Sequence, residues 1–126
     1  MVGDLSKWFD SFVSYKLEGF GWVKEVQGEF LKFTSQSGAV RTCVAVESLD
    51  NTIFSFDRVC SYIGKENFEF LDKNWEVLKD KNIIFYFVSS DLSYHFSFNP
   101  KAHKMVANNK PLNKSLKLLE EHAKLK

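Results

Sequence analysis

The sequence predicts an α+β (or α/β) domain, in which helices pack against a mixed β-sheet of about five strands. Apolar residues recur at helical spacing near both ends of the chain, and short apolar or alternating segments between them are typical of strands. The chain has 126 residues, of which 44% are hydrophobic, enough for one core. We therefore expect a single compact domain over residues 1–126, with the order α-β-β-β-α-α-β-β-α.

The first half of the chain predicts one helix and a three-strand meander. Asp4 is placed to cap the helix and Gly19 to end it. Six apolar residues lie on one face of this helix: Leu5, Trp8, Phe9, Phe12, Val13 and Leu17. Strands are expected over residues 22–26, 30–34 and 40–47, and the run 43–46 is apolar enough to be buried on both faces of the sheet.

The second half predicts two helices, two strands and a final helix. We place the helices at 56–63, with Ser55 as cap and Gly64 as stop, and at about 72–79. The apolar run 83–89 is expected at the sheet centre, parallel to strand 40–47 after a helical crossover.

Residues 93–98 alternate strictly, with Tyr94, Phe96 and Phe98 on one face, and this strand is a candidate edge strand. Residues 105–106 are a candidate for one more short strand. A last helix begins near Pro111, with an apolar stripe at Leu112, Leu116, Leu119 and Ala123.

Composition bounds the environment and the chemistry. Cys43 and Cys60 have apolar neighbours, which favours buried free thiols, and the sequence holds no C-x-x-C pair or His/Cys cluster. We therefore expect no metal and no cofactor. The longest apolar run, 83–88, is too short to span a membrane, so the sequence predicts a cytoplasmic protein with no membrane contact.

The charge is distributed unevenly along the chain. Residues 1–99 carry 10 basic and 14 acidic side chains, a sum of −4, whereas residues 100–126 carry seven Lys and two Glu, a sum of +5. Lys110, Lys114 and Lys117 fall on the outer face of the last helix and are the candidates for contact with nucleic acid or another partner. Such binding would be weak and non-specific. The alternative is a solvated helix face.

Residues 28–33, the turn at Ser37 and Gly38, and residues 43–49 together resemble the sheet hairpin of the restriction-endonuclease-like (PD-(D/E)xK) nucleases. The order of elements over residues 4–90 is also similar to that family. The resemblance implies a site in which carboxylates hold a divalent metal that activates water, assisted by a Lys.

The sequence departs from this family at two positions that matter for the chemistry. Glu47 matches the family's glutamate, but Leu49 stands in place of the Lys and Leu31 in place of the strand acid. The resemblance therefore implies a degenerate relative that does not cleave. The alternative is a divergent metal-dependent nuclease with Glu18, Glu29 and Glu47 as its acids.

Other catalytic combinations are weaker. Tyr86 and His95, with Lys101 or Lys104, resemble the Tyr/His/Lys set of tRNA-splicing-type endonucleases, but an exposed strand histidine is the simpler interpretation of His95. The region 54–70 carries four phenylalanines among acids, at Phe54, Phe56, Phe68 and Phe70, which favours core or interface contacts over base stacking.

Taken together, the residues predict a non-catalytic binding module that acts through protein–protein contacts. The aromatic share of 16% exceeds what a core of this size requires, and an edge strand offers unpaired backbone groups. The expected partner is a second copy in a homodimer or a different protein, with the basic C-terminal segment, residues 100–126, available to nucleic acid.

Overall fold

The computed structural model describes residues 3–102 and 112–125, without the side chains of 112–115. Its helices pack against one mixed six-stranded sheet, which confirms the predicted α+β class. The elements in chain order are α1 (Asp4–Glu18), β1 (Val23–Gln27), β2 (Phe30–Thr34), β3 (Val40–Ala45), a 3₁₀ helix (Asn51–Ser55), β4 (Arg58–Tyr62), α2 (Lys65–Lys73), α3 (Trp75–Leu78), β5 (Ile84–Val88), β6 (His95–Phe98) and α4 (Leu112–Lys124).

The strands lie in the sheet in their chain order, β1-β2-β3-β4-β5-β6. The β1–β2, β2–β3 and β5–β6 pairs are antiparallel, whereas β3–β4 and β4–β5 are parallel. Among the described residues, β1 and β6 form the two edges. The alternation predicted for residues 93–98 is confirmed over the observed strand, since Phe96 and Phe98 are buried while His95 and Ser97 are exposed.

The helix predicted over 56–63 is wrong, because this segment contains β4. Strand β4 is apolar on both sides: Val59 contributes to the core on one face of the sheet and Cys60 to the core on the other. A strand buried on both faces loses the alternation that would distinguish it from a buried helix. Gly64 does not stop a helix but is the N-cap of α2. The helix predicted at about 72–79 corresponds to the end of α2 and to α3, and most of α2 was not predicted.

The hidden strand also changes the predicted pairing. Strand β5 does run parallel to β3, but β4 lies between them and pairs with both. Strand β5 is therefore the fifth strand of six and not the centre of the sheet.

The start of α1 differs from the predicted one, whereas its end agrees with the prediction. Asp4 is the first helical residue of α1 rather than its cap, and the cap is Gly3, which offers no side-chain hydrogen bond. Asp4 still favours the helix start, because its charge lies at the positive end of the helix dipole. Gly19 ends α1 as predicted. The strand predicted at 105–106 and the helix start at Pro111 lie outside the described residues.

The sheet separates two hydrophobic cores. Helix α1 packs on one face, where Phe9, Val13, Phe33 and Tyr86 are buried. The 3₁₀ helix, α2, α3 and α4 pack on the other face, around residues that include Ile53, Leu71, Phe85, Phe87 and Leu116. None of the described helices has the length and apolar character needed to cross a membrane.

Several predicted core residues are confirmed. Cys43 and Cys60 are buried free thiols in the α1 core, and burial raises the pKa of Cys43 to about 12. Phe68 is buried in the other core, and Phe54, Phe56 and Phe70 pack against it. The aromatic region is thus an extension of the core, and the interpretation as base-stacking platforms does not fit it.

A buried asparagine ties α2 to the ends of two parallel strands. The Oδ1 of Asn67 accepts a hydrogen bond from the backbone N–H of Leu49 at 2.9 Å. Its Nδ2 donates to the carbonyl of Tyr62 at 2.8 Å and to Ser61 Oγ at 2.9 Å. Since Asn67 is 6% exposed, water cannot readily replace these bonds.

We predict that Asn67→Ala lowers the free energy of unfolding by about 2–3 kcal/mol, because buried backbone groups lose their partners. The matched control is Asn82→Ala, which removes one exposed side-chain bond to Asn99 and should change stability by less than about 0.5 kcal/mol. Urea unfolding of both variants measures the difference. Equal stabilities would show that Asn67 does not hold α2 in place.

Candidate functional site

The three acids of the nuclease alternative are exposed and dispersed. Glu18 ends α1, Glu29 lies in the β1–β2 turn, and Glu47 follows β3. The part of the chain that the structure describes contains no group of three His, Cys, Asp or Glu side chains that could hold a metal ion. The backbone carbonyl of Glu47 has a structural role instead, since it accepts a hydrogen bond from Ser61 Oγ at 3.2 Å.

The predicted basic face of the last helix is only partly within the described residues. Lys110 lies outside them, and so does the side chain of Lys114. Lys117 is exposed and lines a groove between α4 and α2 together with Lys65. The opposite face of α4 buries Leu116 and Ala123, as predicted. Nucleic-acid contact through the three lysines stays a prediction.

A surface of aromatic side chains in mutual contact lies between α1 and the edge strand β6. Helix α1 crosses β1, β3 and β4, and the exposed side of β6 lies beyond it on the same face of the sheet. Trp8, Phe12 and Lys16 follow one another at successive turns of α1 and face β5 and β6. We call the surface formed by Trp8, Phe12, Lys16, Tyr86 and His95 the α1–β6 groove.

The aromatic rings of this groove contact one another directly. Trp8 and Phe12 stack with their ring centroids 5.0 Å apart and an interplanar angle of 15°. The His95 ring meets both edge-on, at 5.1 Å from Trp8 and 4.9 Å from Phe12. Tyr86 meets Phe12 edge-on at 5.2 Å. Such packing orders the side chains before any ligand arrives.

Arg58 of β4 is hydrogen-bonded to Tyr86, one of the residues of the groove. Its Nη1 donates a hydrogen bond of 2.6 Å to the Tyr86 hydroxyl oxygen. Tyr86 is 3% exposed, and burial raises its pKa, an effect that the nearby Arg58 charge partly opposes. Tyr86 is therefore neutral and does not cancel the charge of Arg58. The Arg58 Nε is buried and has no acceptor among the described residues.

Lys16 brings a second positive charge to the same tyrosine. Its Nζ lies 4.9 Å from the centroid of the Phe12 ring and 6.0 Å from that of Tyr86. The ring faces stabilise the ammonium group by cation–π attraction, which is worth about 0.5–1 kcal/mol at exposed sites. Lys16 and Arg58 thus place two positive charges next to the aromatic rings of the groove.

His95 is the residue of the groove whose ordinary pKa lies closest to neutral pH. Burial of part of its ring lowers its pKa, and the charge of Lys16 lowers it further. The imidazole is therefore neutral near pH 7. The ring contacts of His95 among the described residues are with Trp8 and Phe12.

The outer side of α1 extends this surface. An open depression of about 840 Å³ is lined by residues that include Lys7, Trp8, Phe12, Tyr15 and Leu92. Tyr15 is 86% exposed. Soluble proteins seldom leave several large apolar side chains together in water without a use for them.

Leu92 reaches the depression from a constrained turn between β5 and β6. Its φ of 63° is unusual for a leucine. Asp91 accepts hydrogen bonds from Ser89 Oγ at 2.7 Å and Ser93 Oγ at 2.6 Å, and these bonds lower the pKa of Asp91 to about 2. An ionised Asp91 therefore holds the turn that places Leu92 beside α1.

Sequence reasoning considered Tyr86 and His95 for another role and missed Lys16 and Arg58. The available signal was the spacing of Trp8, Phe12 and Lys16, which places a cation one turn beyond two aromatics on a helix. Arg58 could not be identified as a neighbour of Tyr86 in this way, because the local spacing predicts a helix over residues 56–63. Only the β4–β5 register brings Arg58 close to Tyr86.

We predict that Lys16→Gln raises the pKa of His95, since it removes a positive charge that disfavours the imidazolium. NMR titration of the His95 ring proton measures this pKa, and Glu29→Gln, in the β1–β2 turn, is the control. An unchanged pKa in Lys16→Gln would contradict the assigned geometry.

The lowered pKa of His95 makes the folded protein less stable at acidic pH. The folded protein binds the His95 proton less tightly than the unfolded chain does, so the contribution of His95 to stability is present above about pH 6.5 and is lost as the pH falls through its folded pKa.

The comparisons with known proteins leave the family open. No protein-family model matches the chain, and no curated protein or solved structure matches it either. The nuclease-like fold therefore stays a prediction, and the function has to be argued from the geometry of this chain.

Proposed function

We propose that the protein is a non-catalytic binding module whose partner is another protein, bound at the α1–β6 groove and the adjoining depression. The observation that carries this proposal is the continuous aromatic surface from Tyr15 through Phe12 and Trp8 to His95. Tyr, Trp and Arg are the residues that most often dominate the binding energy of protein interfaces.

Two features of the surface support this function. The rings of Trp8 and Phe12 are already stacked, so little side-chain entropy is lost when a partner covers them. Lys16 and Arg58 supply charges at one end of the apolar surface, which would orient the partner.

We expect a photo-crosslinking amino acid that replaces Tyr15 to capture one defined protein in the source cells. The matched control places the same amino acid at Val77, which is 49% exposed on α3, on the opposite side of the sheet. Mass spectrometry of the adducts gives the result. The crosslink should disappear when Trp8→Ser is added, because this change removes the centre of the stacked surface.

No adduct at position 15, or the same adducts at positions 15 and 77, would contradict the proposal. A crosslink to a second copy of this chain would identify the partner as the homodimer that the sequence predicts. In that case the variant Trp8→Ser should also shift the protein to a monomer in light scattering.

A further inference from the structure

We propose that Lys16 and Arg58 together bind a carboxylate of an acidic segment in the partner protein, and this inference rests on the proposed function. Both cations lie beside the same tyrosine. Arg58 donates to the Tyr86 hydroxyl at 2.6 Å, and the Lys16 Nζ lies 6.0 Å from the centroid of the Tyr86 ring.

Among the described residues, neither Lys16 nor Arg58 forms an ion pair with an Asp or Glu. Every Asp and Glu of the chain lies within the described residues. The ion pairs there join Lys24 to Asp10, Lys79 to Glu76, and two further Lys–Glu pairs, and none of them involves Lys16 or Arg58. Since a half-buried guanidinium loses part of its hydration, an anion placed beside it would recover stabilisation that the folded chain alone does not supply.

Tyr86 gives this pair a fixed geometry. The ring is buried under α1 and contacts Phe9 at 5.8 Å and Phe12 at 5.2 Å, so its hydroxyl cannot move far. The hydroxyl in turn fixes the guanidinium of Arg58. A carboxylate that binds there meets a donor whose side-chain entropy is already lost, which raises affinity and selectivity.

The surroundings favour a protein segment over a nucleic acid. Residues 1–99 sum to −4, and the exposed acids Asp4 and Glu18 lie at the two ends of α1. A continuous phosphate backbone along α1 would pass these acids and be repelled. A single carboxylate requires contact with Lys16 and Arg58 alone, and an apolar side chain next to it can contact Trp8 and Leu92 in the depression.

The two arginines of the chain make a sharp test possible. Arg41 and Arg58 are the only ones, so a ¹H–¹⁵N spectrum contains two arginine Nε–H signals. The probe is the capped peptide acetyl-Glu-Glu-Leu-Glu-Glu-amide, and its control has Gln in place of every Glu. We expect the glutamate peptide to shift the Arg58 signal and to bind at least tenfold more tightly than the glutamine peptide.

Variants assign the binding to the two cations. Lys16→Gln changes an exposed side chain and should weaken binding of the glutamate peptide at least fivefold. Arg58→Gln should weaken binding of the glutamate peptide to the same extent. Tyr86→Phe keeps the charge of Arg58 but removes the hydrogen bond that holds its guanidinium, so we expect a smaller loss of affinity. The matched control is Arg41→Gln, whose guanidinium lies over Trp22 at 5.6 Å, and it should leave the affinity unchanged.

Equal binding of the two peptides, or binding unaltered by Lys16→Gln, would overturn the inference. Tighter binding of an oligothymidylate with the same dependence on Lys16 and Arg58 would replace the protein partner with a nucleic acid. If the glutamate peptide binds as expected but position 15 gives no crosslink, the carboxylate site stands and the proposed protein-docking surface fails.

Discussion

The burial of β5 on both of its faces is the constraint on which the rest of the structure depends. Phe85 and Phe87 contribute to the core under α2 and α4, and Tyr86 and Val88 contribute to the core under α1. Successive side chains of a strand point to opposite faces, so one five-residue strand joins the two cores. Parallel pairing with β4 and antiparallel pairing with β6 then fix what lies on either side of it.

This constraint also creates the α1–β6 groove. Tyr86 is held by core packing, yet its hydroxyl reaches Arg58 at the beginning of β4. Because β5 is followed by a tight turn into β6, His95 and Leu92 come to lie next to the aromatic side of α1. Lys16 and Arg58 both lie beside a tyrosine that stays neutral, which places positive charge next to an apolar surface. That combination is suited to an acidic, partly apolar partner.

The sequence was informative where a segment has one buried face. The stripe of α1 and the alternation of residues 95–98 predicted their structures correctly, because periodicity distinguishes helix from strand when the other face is polar. It failed at 56–63, where Val59 and Cys60 are buried on opposite faces and the spacing also fits a helix. Because of that single error, the predicted parallel neighbour of β5 was β3 instead of β4, and Arg58 was not recognised as a strand residue. Side chains that meet only through strand register, such as Arg58 and Tyr86, cannot be paired by reading the chain locally.

A crystal structure of the protein with the glutamate peptide bound is the sharpest test of whether Lys16 and Arg58 form one carboxylate site. We expect a glutamate carboxylate within about 3.2 Å of both the Lys16 Nζ and a guanidinium nitrogen of Arg58, with the peptide's leucine against Trp8. A peptide bound elsewhere, with no carboxylate at Lys16 and Arg58, would contradict it.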